Sequence, residues 1–203
     1  YMCMADVPEY IEYLKNTSFN SVFKWHKKFY QALELSGKPQ RWLLKDPSHI
    51  GHLPEILKTY PNAKFIHIHR DPIESVGSFC SLTKNVRLAF SKKISTHGIG
   101  ETVIDFWNHN LEKGMSDRKS LSNNQIVDIQ YSEFIKNPLD HIKNTYMQLN
   151  FDMNIATENK IQNYLIKDKK ISKPSHKYSL DEYGLNKKII ESEFRDYMLN
   201  YDF

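Results

Sequence analysis

Two cations stand directly after two apolar runs near the middle of the chain. Residues 42–44 (Trp-Leu-Leu) are followed by Lys45, and residues 65–69 (Phe-Ile-His-Ile-His) are followed by Arg70. Short apolar runs of this kind are typical of buried strands. Because open parallel sheets bind ligands at the carboxyl ends of their strands, Lys45 and Arg70 are predicted to face the same ligand. Two cations at that edge indicate an anionic ligand.

The residues that follow Arg70 could complete an anion cradle. Asp71 is the predicted N-cap of a helix and Pro72 its first residue, and the helix then carries Ser75 and Ser78. A guanidinium grips a phosphate in two places, and hydroxyls and a helix N-terminus can donate hydrogen bonds to the same group. The alternative is a surface arginine that pairs with Asp71, followed by serines that only pack within the helix.

Alternating strands and helices are predicted to position these groups. The predicted strands are residues 41–45, 64–69 and 125–130. The predicted helices are residues 7–15, 20–35, 49–60, 72–82, 100–119, 138–149, 157–167 and 187–200, with a short helical turn at 179–184. The first two strands, joined by one helix, form a βαβ unit, which is normally right-handed. This order predicts an α/β fold with a parallel sheet.

Two motifs occupy the central block of the sequence. Leu-Lys-x-Pro-x-His covers residues 44–49; Pro-x-Ala, a hydrophobic run, His-Arg-Asp-Pro and a serine six residues later cover residues 61–78. Together they resemble the sulfotransferases that use 3′-phosphoadenosine-5′-phosphosulfate, and most of all the broad group that includes many bacterial enzymes. The resemblance continues weakly at residues 131–138 and 176–185, so it covers most of the chain, but only the central block is specific.

The resemblance implies a P-loop NTPase-like, three-layer fold with a parallel sheet and many helices, in a single domain over residues 1–203. That fold opens with a strand and a loop that binds the 5′-phosphosulfate. Neither G-x-x-x-x-G-K-[ST] nor Lys/Arg-Ser-Gly-Thr occurs here after a predicted strand. The chain is therefore expected to be the C-terminal portion of a longer protein, with loss of the loop as the alternative.

The resemblance also assigns nucleotide-binding roles. Arg70 and Ser78 correspond to the ligands of the 3′-phosphate, and Ser75, one helical turn earlier, is a further candidate. Tyr131 corresponds to a tyrosine that lies against the adenine, unless its ring packs in the core. A late polar loop, which either folds over a cofactor phosphate or stays solvated, contains Lys173, His176 and Lys177.

Three residues of the first motif are candidates for the transfer step. Lys45 would stabilise charge on the leaving phosphate or on the sulfuryl oxygens, unless it is simply an exposed lysine. His49 is the candidate general base, because a neutral imidazole accepts a proton near pH 7. The Lys-x-His pair of cytosolic members has two extra residues here, so His49 could instead begin the helix or contact the cofactor. Asp46 either competes for the acid–base role or anchors the turn.

Composition excludes several other classes of protein. The net charge of +4 is compatible with an anionic small ligand, and no basic tract indicates nucleic-acid binding. No apolar run approaches the roughly 20 residues that cross a bilayer. The two cysteines, Cys3 and Cys80, form no disulfide framework, so we expect a reducing, cytoplasmic compartment. Four histidines (49, 52, 67 and 69) could meet, but without H-E-x-x-H or paired cysteines no metal is predicted.

The predicted function is transfer of a sulfuryl group from 3′-phosphoadenosine-5′-phosphosulfate to a hydroxyl or amine of a small-molecule or carbohydrate acceptor. One alternative is a non-catalytic module that binds 3′-phosphoadenosine nucleotides, since the 5′-phosphosulfate loop is missing. Another is part of a P-loop kinase-like protein whose loop lies elsewhere. The sequence leaves the acceptor and the oligomeric state open.

Overall fold

The structure, a computed structural model, describes residues 2–37, 41–168 and 178–203. Two strands, β1 (Phe65–His69) and β2 (Ile126–Gln130), lie among the α-helices of these ranges. The helices are α1 (Pro8–Lys15), α2 (Asn20–Leu33), α3 (Leu53–Thr59), α4 (Pro72–Leu88), α5 (Thr96–Asp117), α6 (Tyr131–Phe134), α7 (Pro138–Gln148), α8 (Ile155–Asp168), α9 (Lys187–Glu193) and α10 (Arg195–Asn200). None of the helices in the described ranges has the length and apolar character that spanning a membrane requires.

The sheet pairs β1 with β2 in parallel, so that their last residues, His69 and Gln130, lie opposite each other. Helices α4 and α5 make the crossover between the two strands. The carboxyl ends therefore meet at one edge of the sheet. Arg70 and Tyr131, which directly follow β1 and β2, lie next to each other there. This edge is where the predicted anion site should lie.

The main hydrophobic core lies between α4, α5 and the C-terminal helices. It contains fully buried side chains from each of them, including Cys80, Ile99 and Ile190. Helix α5 approaches the C-terminal segment closely at Gly100, where a Cβ would lie 2.2 Å from the carbonyl oxygen of Tyr183. Any larger residue at this position would push the segment away from α5 and loosen the support of α4.

The N-terminus of α4 forms as predicted. The backbone N–H of Ile73 donates to the Asp71 carboxylate over 2.8 Å, which confirms Asp71 as the N-cap. The helix runs to Leu88, well past the predicted end at residue 82. Its last turn is held by Arg87, which is buried and donates to the carbonyl of Met2 over 2.9 Å. That tertiary contact has no local sequence signal.

The predicted strand at residues 41–45 is wrong. The segment is extended but pairs with no strand among the described residues. Its side chains make other contacts: the Arg41 guanidinium lies 3.7 Å from the ring centroid of Phe151, and the Trp42 indole donates to the Glu34 carboxylate over 2.8 Å. The predicted βαβ unit with a single helix is therefore also wrong, because the parallel partner of β1 is β2.

Two predicted helices are each divided in the structure. Residues 49–60 form a 3₁₀ turn (Pro47–His52) and then α3, which starts anew because Pro54 stands in its first turn. Residues 187–200 are divided into α9 and α10 at the buried Phe194, whose backbone (φ −105°, ψ 19°) leaves the α-helical range. Apart from the longer α4, the other predicted helices are present with bounds shifted by a few residues at most.

A hydrogen-bonded network ties α10 to the sheet. The Nε2–H of His69 donates to Asp128 over 2.7 Å, and its Nδ1 accepts from the Tyr197 hydroxyl over 2.8 Å. Arg118 donates to the other oxygen of Asp128 and to the Tyr201 hydroxyl. Burial would raise the pKa of Asp128, but the bonds from His69 and Arg118 prevail and hold that pKa well below its usual range.

A neighbouring histidine makes this region sensitive to acid. The Nδ1 of His67 is closed off from solvent and has no hydrogen-bond partner in the described part of the chain. Burial, together with the nearby His69, lowers the pKa of His67 to about 3. In the unfolded chain His67 becomes protonated below its ordinary pKa of about 6.5, whereas in the folded chain its ring stays neutral until the pH approaches 3. His67 therefore stabilises the fold fully above pH 6.5, and that stability is lost between pH 6.5 and 3.

We expect the free energy of unfolding to fall by about 2 kcal/mol between pH 7 and 4.5 through His67. Thermal unfolding followed by circular dichroism should show a midpoint lower by roughly 5 °C at the acid pH. The His67→Gln variant should lose most of this pH dependence, whereas the control His109→Gln should keep it. Equal slopes for the wild type and His67→Gln would contradict the assignment.

Candidate functional site

A cleft of about 460 Å³ is lined by residues of β1 and by Arg70, which directly follows the strand. This volume is within the range of small-molecule sites. The polar residues of its wall include Lys45, Asp46, His49, Arg70 and Ser75. The rest of the wall is largely apolar. Cationic groups, a carboxylate, an imidazole and a hydroxyl therefore line one largely apolar cavity.

Arg70 lies in this cleft with its side chain 44% exposed. Its Nε and Nη2 donate to one carboxylate oxygen of Glu74, over 3.2 and 3.1 Å. The predicted alternative, a pair with Asp71, is not formed, because Asp71 caps α4 instead. Glu74 is exposed, and exposed pairs four residues apart on a helix contribute only about 0.3–0.5 kcal/mol. An incoming phosphate can therefore replace Glu74 at small cost.

Tyr131, the first residue after β2, lies next to Arg70. The guanidinium carbon of Arg70 is 5.0 Å from the centroid of the Tyr131 ring, which is a cation–π distance. The ring is partly exposed and does not belong to either of the buried hydrophobic clusters. The geometry therefore does not favour the core-packing alternative for Tyr131; the ring lies beside the cation but is not among the residues that line the cleft.

The two serines of α4 differ in position. Ser75 belongs to the wall of the cleft together with Arg70. Ser78 is half-buried on the same helix and is not among the residues that line the cleft. Its neighbour Gly77 packs under the ring of Tyr178, where a Cβ would lie 2.3 Å from a ring carbon. The structure thus places Ser75, but not Ser78, in the wall of the cleft with Arg70.

Asp46 is engaged in the turn that carries the candidate base. Its carboxylate accepts from the backbone N–H of Ser48 over 2.8 Å and from the Ser48 hydroxyl over 2.7 Å. Burial alone would raise the pKa of Asp46, but these bonds outweigh it and the pKa lies below its ordinary value. Asp46 therefore stays ionised as the cap of the Pro47–His52 turn. Of its two predicted roles, the geometry favours the turn anchor, and Lys45 beside it reaches the cleft as an exposed side chain.

His49 lies in the wall of the cleft, packed edge-on against aromatic rings. Its ring centroid is 5.8 Å from that of Phe23 and 6.5 Å from that of His26. Burial lowers the pKa of His49 below 6.5, an effect that the nearby Asp46 carboxylate partly offsets. The ring is therefore neutral at pH 7 and keeps a lone pair that can accept a proton.

Two predicted site residues, His176 and Lys177, and their neighbour Lys173 lie outside the described residues. Tyr178, the next described residue, donates its hydroxyl to the carbonyl oxygen of Glu74 over 2.9 Å. Glu74 itself was missed by the sequence reasoning. Its position four residues after Arg70 on a predicted helix is the standard spacing of an ion pair and could have identified it.

A different set of histidines comes together than the four considered from sequence. His67, His69 and Asp128 place ligand atoms within 4.8 Å of one another. Both nitrogens of His69 already have hydrogen-bond partners, and Asp128 is paired with Arg118. The carboxylate charge is thus balanced by a cation of the protein itself. These contacts explain the group as a structural network that holds α10 against the sheet.

Comparison with known proteins identifies the fold. A model described as the sulfotransferase family matches residues 3–154. The crystal structure of sulfotransferase STF9 from Mycobacterium avium superimposes with a TM-score of 0.88 at 24% identity, over 99% of this chain and 52% of that chain. Sulfotransferase STF1 from Mycobacterium tuberculosis H37Rv gives a TM-score of 0.83 at 27% identity, over 97% of this chain and 50% of that chain. The predicted α/β fold with a parallel sheet is confirmed.

Curated relatives agree with this result. The chain is 23% identical over 147 residues to the omega-hydroxy-beta-dihydromenaquinone-9 sulfotransferase Stf3 of Mycobacterium bovis and of Mycobacterium tuberculosis. The match covers 70% of this chain and 38% of each relative, so the chain spans well under half of their length. Since the family model matches far more than half of the residues, the chain belongs to the sulfotransferase family.

Proposed function

We propose that this chain forms the 3′-phosphate and proton-acceptor side of a sulfuryl-transfer site. The donor is 3′-phosphoadenosine-5′-phosphosulfate and the acceptor carries a hydroxyl group. The observation that carries the proposal is that Lys45, His49 and Arg70, three residues from separate parts of two motifs, line one cleft. Membership of the sulfotransferase family supports the reaction class.

Arg70 and its surroundings are suited to the nucleotide. A ribose phosphate brings up to two negative charges and three acceptor oxygens, so it competes well against the single exposed carboxylate of Glu74. Ser75 can donate its hydroxyl from the same wall of the cleft. Tyr131 offers a ring face 5.0 Å from the guanidinium, which suits a flat base adjoining the phosphate-bearing ribose.

Lys45 and His49 are suited to the transfer itself. The acceptor oxygen forms a bond to sulfur while the bond between sulfur and the bridging phosphate oxygen breaks, and the acceptor loses its proton. His49, neutral at pH 7, takes that proton. Lys45 stabilises the negative charge that develops on the leaving phosphate or the sulfuryl oxygens. The products are a sulfate ester and 3′-phosphoadenosine-5′-phosphate.

The acceptor that we propose is a hydroxyl on an apolar small molecule. In addition to its polar residues, the cleft is lined by large apolar side chains, among them Phe79, Trp107 and Leu111. These would bury a hydrocarbon group and would leave the hydroxyls of a carbohydrate without partners. The relatives named for a hydroxylated dihydromenaquinone are consistent with this class of acceptor.

A transfer assay tests the proposed reaction. The protein is mixed with the donor and farnesol, an apolar alcohol, and farnesyl sulfate and 3′-phosphoadenosine-5′-phosphate are measured by mass spectrometry. We expect both products in equal amounts, and much less sulfation of glucose at the same concentration. Normal nucleotide binding without any transfer to either alcohol would instead support the non-catalytic binding module.

The exposed ion pair of Arg70 gives a separate prediction. Replacing Glu74 by glutamine removes the carboxylate that a phosphate must displace, so 3′-phosphoadenosine-5′-phosphate should bind about 2- to 3-fold more tightly. Titration calorimetry measures the change. The exposed Glu191, replaced in the same way, should leave the affinity unchanged. Weaker binding by Glu74→Gln would show that Glu74 contributes to the nucleotide site rather than competing with it.

A further inference from the structure

Helix α2 presents an apolar stripe that nothing in the described structure covers. Its inner face is anchored: Phe23 is buried, and the ring of His26 hydrogen-bonds to the Tyr60 hydroxyl over 2.7 Å. Next to that face, four large apolar side chains at helical spacing are exposed: Val22, Trp25 (70% exposed), Phe29 (60% exposed) and Leu33. The stripe is thus held rigidly on the surface and cannot turn inward.

A basic groove adjoins this stripe. It has a volume of about 540 Å³ and is lined by four lysines, Lys24, Lys27, Lys28 and Lys58, together with Trp25. No aspartate or glutamate lines the groove, and helix α2 contains none. The ammonium group of Lys28 lies 4.6 Å from the Trp25 ring centroid. Tryptophan therefore stands at the boundary between the apolar stripe and the lysines.

We propose that this face of α2 binds the surface of an anionic phospholipid membrane. An interfacial helix needs an apolar face with Trp, Phe and Leu that enters the acyl boundary, and lysines that meet the headgroups. The stripe supplies the first and the groove supplies the second. The charge pattern selects an anionic bilayer. The groove beside the stripe has four lysines and no acidic side chain, and a neutral bilayer would offer these lysines no excess of negative charge.

The proposal is independent of the proposed function, because the residues of the stripe and of the basic groove are not among those that line the cleft. Helix α2 is already folded and docked on α3, so binding does not have to pay for helix formation. Attachment is electrostatic in part and should therefore weaken as salt is raised. It should also leave the affinity for 3′-phosphoadenosine-5′-phosphate unchanged.

Vesicle co-sedimentation tests this surface. We expect the protein to sediment with vesicles of phosphatidylcholine and phosphatidylglycerol (about 7:3) at least 10-fold more tightly than with phosphatidylcholine alone. The double variants Trp25→Ser/Phe29→Ser and Lys24→Glu/Lys28→Glu should each lose at least 10-fold in this binding. Two control variants should bind as the wild type does: Tyr164→Ser/Ile166→Ser, with exposed apolar residues on α8, and Lys187→Glu/Lys188→Glu, with exposed lysines on α9.

Circular dichroism and nucleotide titration of each variant establish that it is folded. Three results would overturn the proposal: no sedimentation of the wild type with anionic vesicles, equal sedimentation with neutral vesicles, or unchanged sedimentation of the two α2 variants. Light scattering could give a fourth result that would overturn it. If the wild type is a dimer that Trp25→Ser/Phe29→Ser converts to a monomer, a second copy of the chain covers the stripe and the membrane does not.

Discussion

Replacing Arg70 by alanine is expected to weaken the binding of 3′-phosphoadenosine-5′-phosphate about 10- to 100-fold. The guanidinium stands at the carboxyl end of β1 in the cleft, where it pairs with the exposed carboxylate of Glu74 and lies over the ring of Tyr131. Hydrogen bonds to charged groups contribute about 1.5–3 kcal/mol each, which corresponds to this loss of affinity. Titration calorimetry with wild type and variant measures it.

The controls separate a lost ligand from a damaged fold. Because the Arg70 side chain is partly exposed and its ion pair with Glu74 is a surface pair, the thermal midpoint of Arg70→Ala should stay within about 2 °C of the wild type. Arg70→Lys keeps the charge but not the planar fork, and should bind with intermediate affinity. The exposed Arg195, replaced by alanine, should leave the affinity unchanged. Equal affinities for wild type and Arg70→Ala would remove Arg70 from the nucleotide site.

Replacing His49 by glutamine is expected to slow sulfuryl transfer about 100-fold or more, which is the usual contribution of a general base. The affinity for 3′-phosphoadenosine-5′-phosphate should change by less than about 2-fold, because the proposed phosphate site is at Arg70. Since burial lowers the pKa of His49, the wild type should keep its rate below pH 6.5 and lose it only on further acidification. Glutamine should abolish that acid limb.

The outcome also decides between the roles considered for His49. A reduced turnover number with normal nucleotide affinity identifies the base. A loss of nucleotide affinity with normal turnover would assign His49 to cofactor contact. No change in either would leave it as a residue of the Pro47–His52 turn that packs against Phe23. His141→Gln, on α7 and away from the cleft, is the matched control and should behave as the wild type.

Elements with strong local signals could be predicted from the sequence. The β-branched and aromatic residues of β1 and β2, and the Asp-Pro start of α4, are features that neighbouring residues alone determine. The segment at residues 41–45 has the same apolar character but is not a strand, because a strand requires a hydrogen-bonded neighbour and that neighbour is a long-range property. The pairing of β1 with β2 is also a long-range property and could not be predicted, because the two strands are about sixty residues apart in sequence.

The candidate site shows the same division. Lys45, His49 and Arg70 line one cleft, as the sequence led us to expect from two strand ends at one edge, although the segment before Lys45 is not a strand. The choice between Ser75 and Ser78 could not be made from spacing, since it depends on the rotation of α4 against Tyr178. The network of His69 with Asp128 and Arg118 could not be predicted from the sequence either, because His69 meets the other two residues only through the crossover between β1 and β2.

The central claim is that a guanidinium after β1 recognises a phosphate on the ribose of a nucleotide. The most direct measurement is the ratio of two affinities of the wild type, for 3′-phosphoadenosine-5′-phosphate and for adenosine 5′-monophosphate, by titration calorimetry. We predict that the 3′-phosphate improves binding at least 10-fold, in line with a charge-assisted contact. Equal affinities for the two nucleotides would contradict the account.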